Sequence, residues 1–188
     1  LISALQQGQE SAFRQLVETY QHMVFRTALD IVQQEQEAED VAQEVFIESY
    51  RSIHTFRGDA KLSTWLYRIT IRKSLNWQRK KKAAKRFSLK HLLGIDEKTE
   101  NEAKDFQHPG VLSENREDAN LLFKSLKELP ENQQAVFVLL KVEGLSYEEV
   151  SAIMEVSVKA LESLMQRAKE NLRKKLRTHF NKSEKRKL

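Results

Sequence analysis

Apolar residues recur at three- and four-residue steps along nearly the whole chain. Phe13, Leu16, Val17, Tyr20, Val24, Ala28 and Ile31 form one series. Ala38, Val41, Ala42, Val45, Phe46, Ser49, Tyr50 and Ile53 form a second. This period places each series on one face of a helix, and no strand alternation or hairpin turn interrupts it. Ser63 is positioned to cap a further helix running through about Arg79. Periodicity resumes with Leu121, Leu122, Leu126 and Leu129 and breaks at Pro130. The stretch "ENQQAVFVLLKVEG" then closes on Gly144, a residue suited to a helix C-terminus. "SYEE", Ser146 to Glu149, fits a capping box that opens a short helix. Ser157 is placed to cap the next, "VKALESLMQRAKENLRKKL", whose inward face carries Leu161, Met165 or Leu164, Ala168 and Leu172. Two helices joined by so short a turn describe a helix-turn-helix or a plain three- or four-helix bundle with a solvated basic face, and the basic tail from Arg167 through Lys187 favours the former. The predicted fold class is all-α, with two small helical domains.

The helix after "FRGDAKLS" departs from simple amphipathicity. At about 100° per residue, Trp65, Arg68, Arg72, Asn76 and Arg79 share one narrow stripe. Leu66, Tyr67, Ile69, Ile71, Leu75 and Trp77 spread over much of the remaining circumference, so the helix is expected to be covered on several sides. Lys73 falls near the apolar arc and must extend its stem outward. An aromatic ring at the head of a row of cations suits unstacked bases: the ring stacks and the arginines hold phosphates. The preceding loop supplies small and polar groups able to surround a flipped base. The competing reading makes Trp65 a core anchor and the arginines a solvated face.

Charge sharpens this picture. Lys and Arg number 32 against 27 Asp and Glu, a formal net charge of +5, which favours a polyanionic partner. The excess is local: "RKKKAAKRFSLK" is strongly basic, whereas Gly94 to Asp118 is acidic, poor in apolar residues and contains Pro109-Gly110. That composition reads as a disordered linker. There is no cysteine, which excludes disulfides and cysteine-bound zinc and is compatible with a reducing cytosol. No run of about 18 apolar residues is present for a membrane span, and no signal-peptide pattern is visible. The sequence begins at Leu1 rather than a methionine, which leaves room for residues ahead of it. Glu39, Asp40 and Glu44 cluster on one helix, but no His or Cys joins them, and they read as solvated carboxylates rather than a metal site.

"AEDVAQEVFIESYRSIHTFRGDAKLSTWLYRI" resembles the second conserved region of bacterial RNA polymerase sigma factors of the extracytoplasmic-function group. "LKELPENQQAVFVLLKVEGLSYEEVSAIMEVSVKALESLMQRAKENLRKKL" resembles their fourth. The implied domains are 1–92 (region 2), 93–115 (linker) and 116–188 (region 4 with a basic tail). The resemblance implies a promoter-specificity subunit without catalytic chemistry, cofactor or small-molecule substrate. Its implied partners are core RNA polymerase, through the clamp coiled coil and the flap, promoter DNA, and an anti-sigma factor, commonly membrane-bound. The implied location is the cytoplasm.

Carried onto this chain, the resemblance implies that Asp40, Gln43, Glu44 and Ile47 face the clamp. It implies −10 contacts for Phe56, Arg57, Lys61, Ser63, Trp65, Arg68, Arg72, Asn76 and Arg79. It implies −35 contacts for Ser157, Lys159, Glu162, Ser163, Gln166 and Arg167. Arg72 stands where many relatives carry asparagine. Lys159-Ala160-Leu161-Glu162 replaces a frequent Gly-Thr-Val-Lys pattern, and Leu164 a common arginine. The acidic linker is also readable as an RNA mimic within a basic channel. A stand-alone helix-turn-helix regulator leaves the clamp-type helix and the tryptophan-led stripe unexplained. A DNA-processing enzyme lacks a convincing nucleophile or metal-binding cluster.

Overall fold

The computed structural model describes the backbone of residues 1–93 and 116–185, and side chains within 1–87 and 118–177. The acidic stretch expected to act as a linker or RNA mimic falls largely outside them. The elements are α1 (Ile2–Gln6), α2 (Glu10–Val32), α3 (Glu35–Ser52), a 3₁₀ turn (Ile53–Thr55), α4 (Leu62–Leu93), α5 (Arg116–Lys127), α6 (Glu131–Phe137), a π turn (Val138–Val142), α7 (Tyr147–Met154) and α8 (Val158–Lys185). No strand occurs among the described residues.

Helices α2, α3 and α4 pack around Leu16, Val24, Ala28, Leu29, Val41, Val45, Leu66 and Ile69, and α1 adds Leu5. These are the i, i+3, i+4 positions of each helix, as the period requires. Tyr50 departs from that expectation: its side chain is 54% exposed although it continues the apolar series of α3. Ser63 does not cap α4. The Trp65 N–H donates to Lys61 O at 3.3 Å, so the helix starts two residues earlier and Ser63 lies inside its first turn. Nor does α4 stop near Arg79. The basic run beyond it is built from Lys, Arg and Ala, all strong helix formers, and the helix continues to Leu93.

In the C-terminal half, α5 lays Leu126 on Ala168 and Leu172 of α8. The Ser146 capping box is complete: Glu149 N–H donates to Ser146 Oγ at 3.2 Å, and Ser146 N–H to Glu149 Oε2 at 3.1 Å. Ser157 Oγ accepts from the Ala160 N–H at 3.2 Å and caps α8 as expected. Between α7 and α8, Glu155 turns the chain at φ +57°.

The halves share a core. Tyr67, Ile71 and Leu75, the second apolar arc of α4, join Ile31 against Val136, Leu139, Val150, Ile153, Leu161 and Met165. Polar contacts follow the same seam. The last carbonyls of α2 have no partner inside their own helix. Ile31 O accepts from Gln78 and from Gln134 Nε2 (3.2 Å), and Val32 O accepts from Lys127 Nζ at 3.0 Å. Gln33 Nε2 donates to Phe123 O at 2.6 Å. The covering on several sides expected for α4 is thus supplied in part by the N-terminal bundle and in part by the C-terminal unit.

Candidate functional site

On α3 the apolar positions face inward and leave Asp40, Gln43 and Ile47 exposed and Glu44 half-buried. Ile47 is 51% exposed. Tyr50, one turn further on, meets the Phe13 ring edge-on at 5.1 Å between centroids. Ile47 and Tyr50 therefore form an apolar patch bordered by carboxylates. Tyr50 was legible only as a core position, because its spacing fits the buried series and nothing in the sequence says that Phe13 holds it outward.

Lys73 joins this face to α4. Its Nζ lies 3.0 Å from Glu48 Oε2 and 3.3 Å from Glu44 Oε2, which draws its stem out of the apolar arc. Hydrogen bonding to Lys73 is the main cause that holds the Glu48 carboxyl below its usual range. The same bond raises the Lys73 ammonium. Glu48 also pairs with Arg72. Among the described residues no group of His, Asp or Glu is assembled to hold a metal.

On the α4 stripe, Trp65 is half-buried and its ring tilts over Phe56 at 5.5 Å. Phe56 itself is 7% exposed and belongs to the N-terminal core, so it supports Trp65 from below rather than presenting a surface. Arg57 and Lys61 are exposed, and Ser63 and Asn76 are half-buried. The cations of the stripe are engaged within the molecule. Arg68 donates through Nε (3.0 Å) and Nη2 (2.5 Å) to Ala152 O and pairs with Glu155 at 2.8 Å. Arg79 meets Glu131 at 3.1 Å, and Lys61 meets Glu149 at 3.6 Å.

The second helix of the helix-turn-helix divides cleanly. Leu161, Met165, Ala168 and Leu172 are buried, while Ser157, Lys159, Glu162, Ser163, Gln166 and Arg167 are all exposed. Gln166 Nε2 donates to Glu170 Oε1 at 2.9 Å. Neutral donors, acceptors and charges of both signs stand together on the turns after the Ser157 cap, the part of a recognition helix that meets base edges.

Fold and surface together define a two-part helical protein that carries a helix-turn-helix and a tryptophan-led cationic stripe, with an additional polar and apolar face on α3. The family description "Sigma-70 region 2" matches residues 16–84, and "Sigma-70, region 4" matches residues 120–172. The chain is 33% identical to the RNA polymerase sigma-H factor of Pseudomonas aeruginosa, over 94% of this chain and 92% of that one. It is 33% identical, with the same coverage, to the ECF RNA polymerase sigma-E factor of Escherichia coli K12. Among solved structures, CnrH in complex with the cytosolic domain of CnrY shares the fold (TM-score 0.62, 23% identity, 94% and 95% of the two chains). So does the sigma factor RpoE in complex with the anti-sigma factor NepR from Bartonella quintana (TM-score 0.61, 22% identity, 88% and 97%). The chain belongs to the extracytoplasmic-function family of RNA polymerase sigma factors. Its role is to bind core RNA polymerase and direct transcription initiation at promoters. No described helix is long and apolar enough to cross a membrane.

Proposed function

We propose that three surfaces divide this task. The α3 face, with Asp40, Gln43, Glu44, Ile47 and the neighbouring Tyr50, binds the clamp coiled coil of the polymerase. The loop after α3 and the α4 stripe, from Arg57 and Lys61 to Arg79, open and hold the −10 element. There Trp65 is the stacking platform, propped by Phe56, and Arg68, Arg72 and Arg79 carry phosphate. The exposed face of α8, from Ser157 to Arg167, reads the −35 element, with the C-terminal unit also resting on the polymerase flap. The protein performs no chemistry of its own and is held in reserve by an anti-sigma factor in the cytoplasm.

The observation that carries this reading is the sidedness of α8. Each α8 residue proposed to touch DNA is exposed, while Leu161, Met165, Ala168 and Leu172 are committed to the core. The test is to combine the protein with core polymerase and a promoter library and to sequence the transcripts. Core-dependent initiation from a shared −35 and −10 pair is expected. Tight, specific binding of duplex DNA in the absence of core, with no initiation, would instead make it a stand-alone regulator.

A further inference from the structure

Helix α4 outruns the bundle it belongs to. Gln78 is its last buried residue among those described, and beyond it every described residue through Phe87 is exposed except the half-buried Lys85. None of them belongs to a core formed by the described residues. The 32 residues of α4 include ten Lys and Arg and no Asp or Glu. Up to Arg79 these cations are answered from other elements: Arg68 by Glu155, Arg72 and Lys73 by Glu48, and Arg79 by Glu131. Further on, Lys81 is answered by Glu37, whereas Lys82 and Arg86 meet no carboxylate among the described residues. Like charges four residues apart, as these two are, oppose a helix, and no packed apolar stripe offsets them here. Both also continue the row that begins on the bundle. At 100° per residue, Arg68, Arg72, Arg79, Lys82 and Arg86 all fall within about 80° of arc.

We infer that Lys82 and Arg86 form a second phosphate-binding segment, which takes the backbone of the duplex on the −35 side of the −10 element. This segment deepens the reading of the α4 stripe as the −10 surface and rests on that reading. Trp65, the stacking platform, marks the melted end of the DNA. The other end of α4 leads on in the chain to the unit that reads the −35 element, so it points upstream. At about 1.5 Å per residue, Lys82 and Arg86 stand about 26 and 32 Å from Trp65 along the helix axis. That is about 8–9 base pairs at 3.4 Å each, in DNA that stays double-stranded. Long cationic side chains without a fixed partner suit phosphates rather than base edges. The segment therefore adds affinity and holds register without reading sequence. A polyanion lying along it also offsets the repulsion between the two cations. An acidic surface of the polymerase would satisfy the same charges, and experiment separates the two.

Holoenzymes are made with the parent protein, with Lys82→Gln and Arg86→Gln together, and with Lys82→Arg and Arg86→Lys together. Each is titrated with two promoter templates that present an unpaired −10 strand. The duplex upstream of that strand runs about 15 base pairs in one template and about 4 in the other, which stops short of the segment. Glutamine keeps helix propensity, so far-ultraviolet dichroism should match the parent. On the long template the glutamine pair should bind about tenfold more weakly at about 0.15 M salt, with a salt slope smaller by about two. On the short template it should bind as the parent does, and the charge-keeping pair should match the parent on both. Unchanged affinity and slope on the long template overturn the proposal. So does an equal loss on both templates, or a loss of affinity for core without DNA, either of which puts these charges on the polymerase. A loss shared by the charge-keeping pair makes the two residues structural and overturns it as well. Trp65→Ala judges the underlying reading, and should bind the short template about fivefold or more weakly. If it binds as tightly as the parent, the stripe leaves the −10 element and the second segment goes with it. A loss in Trp65→Ala beside a silent glutamine pair removes the second segment alone.

Discussion

At the scale of single residues, Trp65 joins readings that looked exclusive in the sequence. It anchors on Phe56 and the N-terminal core, yet stays half-exposed at the head of the stripe. A ring fixed from below loses little freedom when a base stacks on its other face. Trp65→Ala should therefore weaken open-complex formation by about 1–3 kcal/mol, roughly 5- to 150-fold, and a pre-melted template should restore part of that loss. Trp65→Phe, which keeps a ring over Phe56, separates stacking from folding: retained helicity with intermediate opening is expected. On α3, Glu44 is the partly exposed carboxylate whose Lys73 partner is shared with Glu48. Glu44→Lys should leave far-ultraviolet dichroism unchanged, because Glu48 retains Lys73. It should weaken core binding by more than tenfold, since charge reversal at a complementary interface can cost several kcal/mol. Unchanged affinity in a core-binding titration would detach Glu44 from the clamp.

At the scale of elements, the recognition helix was the most legible part of the chain. Leu161, Met165, Ala168 and Leu172 differ so sharply from their neighbours that a single helical period separates core from surface. The caps of α7 and α8 were legible too, because Ser146 and Ser157 each have the residue pattern their geometry needs. The boundaries of α4 were not. A serine near a helix start is only one candidate cap, and the basic run has helix propensity but no apolar period to show that α4 continues through it. The outer face of α8 carries a specific expectation. Glu162 is repelled by phosphate but can accept from cytosine N4, so it should select among base pairs, while Lys159 contributes charge alone. Glu162→Lys should tighten holoenzyme binding to many upstream sequences and flatten the preference at one base pair. Lys159→Ala should weaken all sequences alike and reduce the salt slope by about one unit. An unaltered base preference and affinity in Glu162→Lys would mean that the helix docks without it.

At the scale of the whole molecule, the sequence announced two helical units but not their meeting. The excess apolar surface of α4 said that the helix would be covered on several sides. It did not name the second cover, because any apolar face satisfies an apolar arc. The polar contacts of the seam were still less legible, since Gln134 and Lys127 reach carbonyls of α2 that are distant in sequence. A further seam contact, made by Glu143, should make the assembly sensitive to pH. Glu143 Oε1 accepts from Thr27 Oγ1 at 2.9 Å, and Oε2 accepts from the Tyr67 hydroxyl at 3.3 Å. Burial is the main cause that pushes the Glu143 carboxyl above its ordinary range, and the charge of Asp30 adds to it, against the Thr27 hydroxyl and Arg26. A carboxyl raised in the folded state binds its proton more tightly there than in the unfolded chain. Its favourable contribution is complete below the ordinary carboxyl value and is lost as pH rises through the raised one. Glu143→Gln removes that ionisation while its amide oxygen can still accept from Thr27. The variant should therefore melt higher than the parent at pH 8, by on the order of 1 kcal/mol or roughly 2–4 °C for a chain of this size. The gap should narrow as pH falls into the ordinary carboxyl range, because the native carboxyl takes up its proton earlier than an unperturbed one. Melting curves of both proteins across that range decide the matter: a gap that does not change with pH would mean that Glu143 holds the seam without titrating.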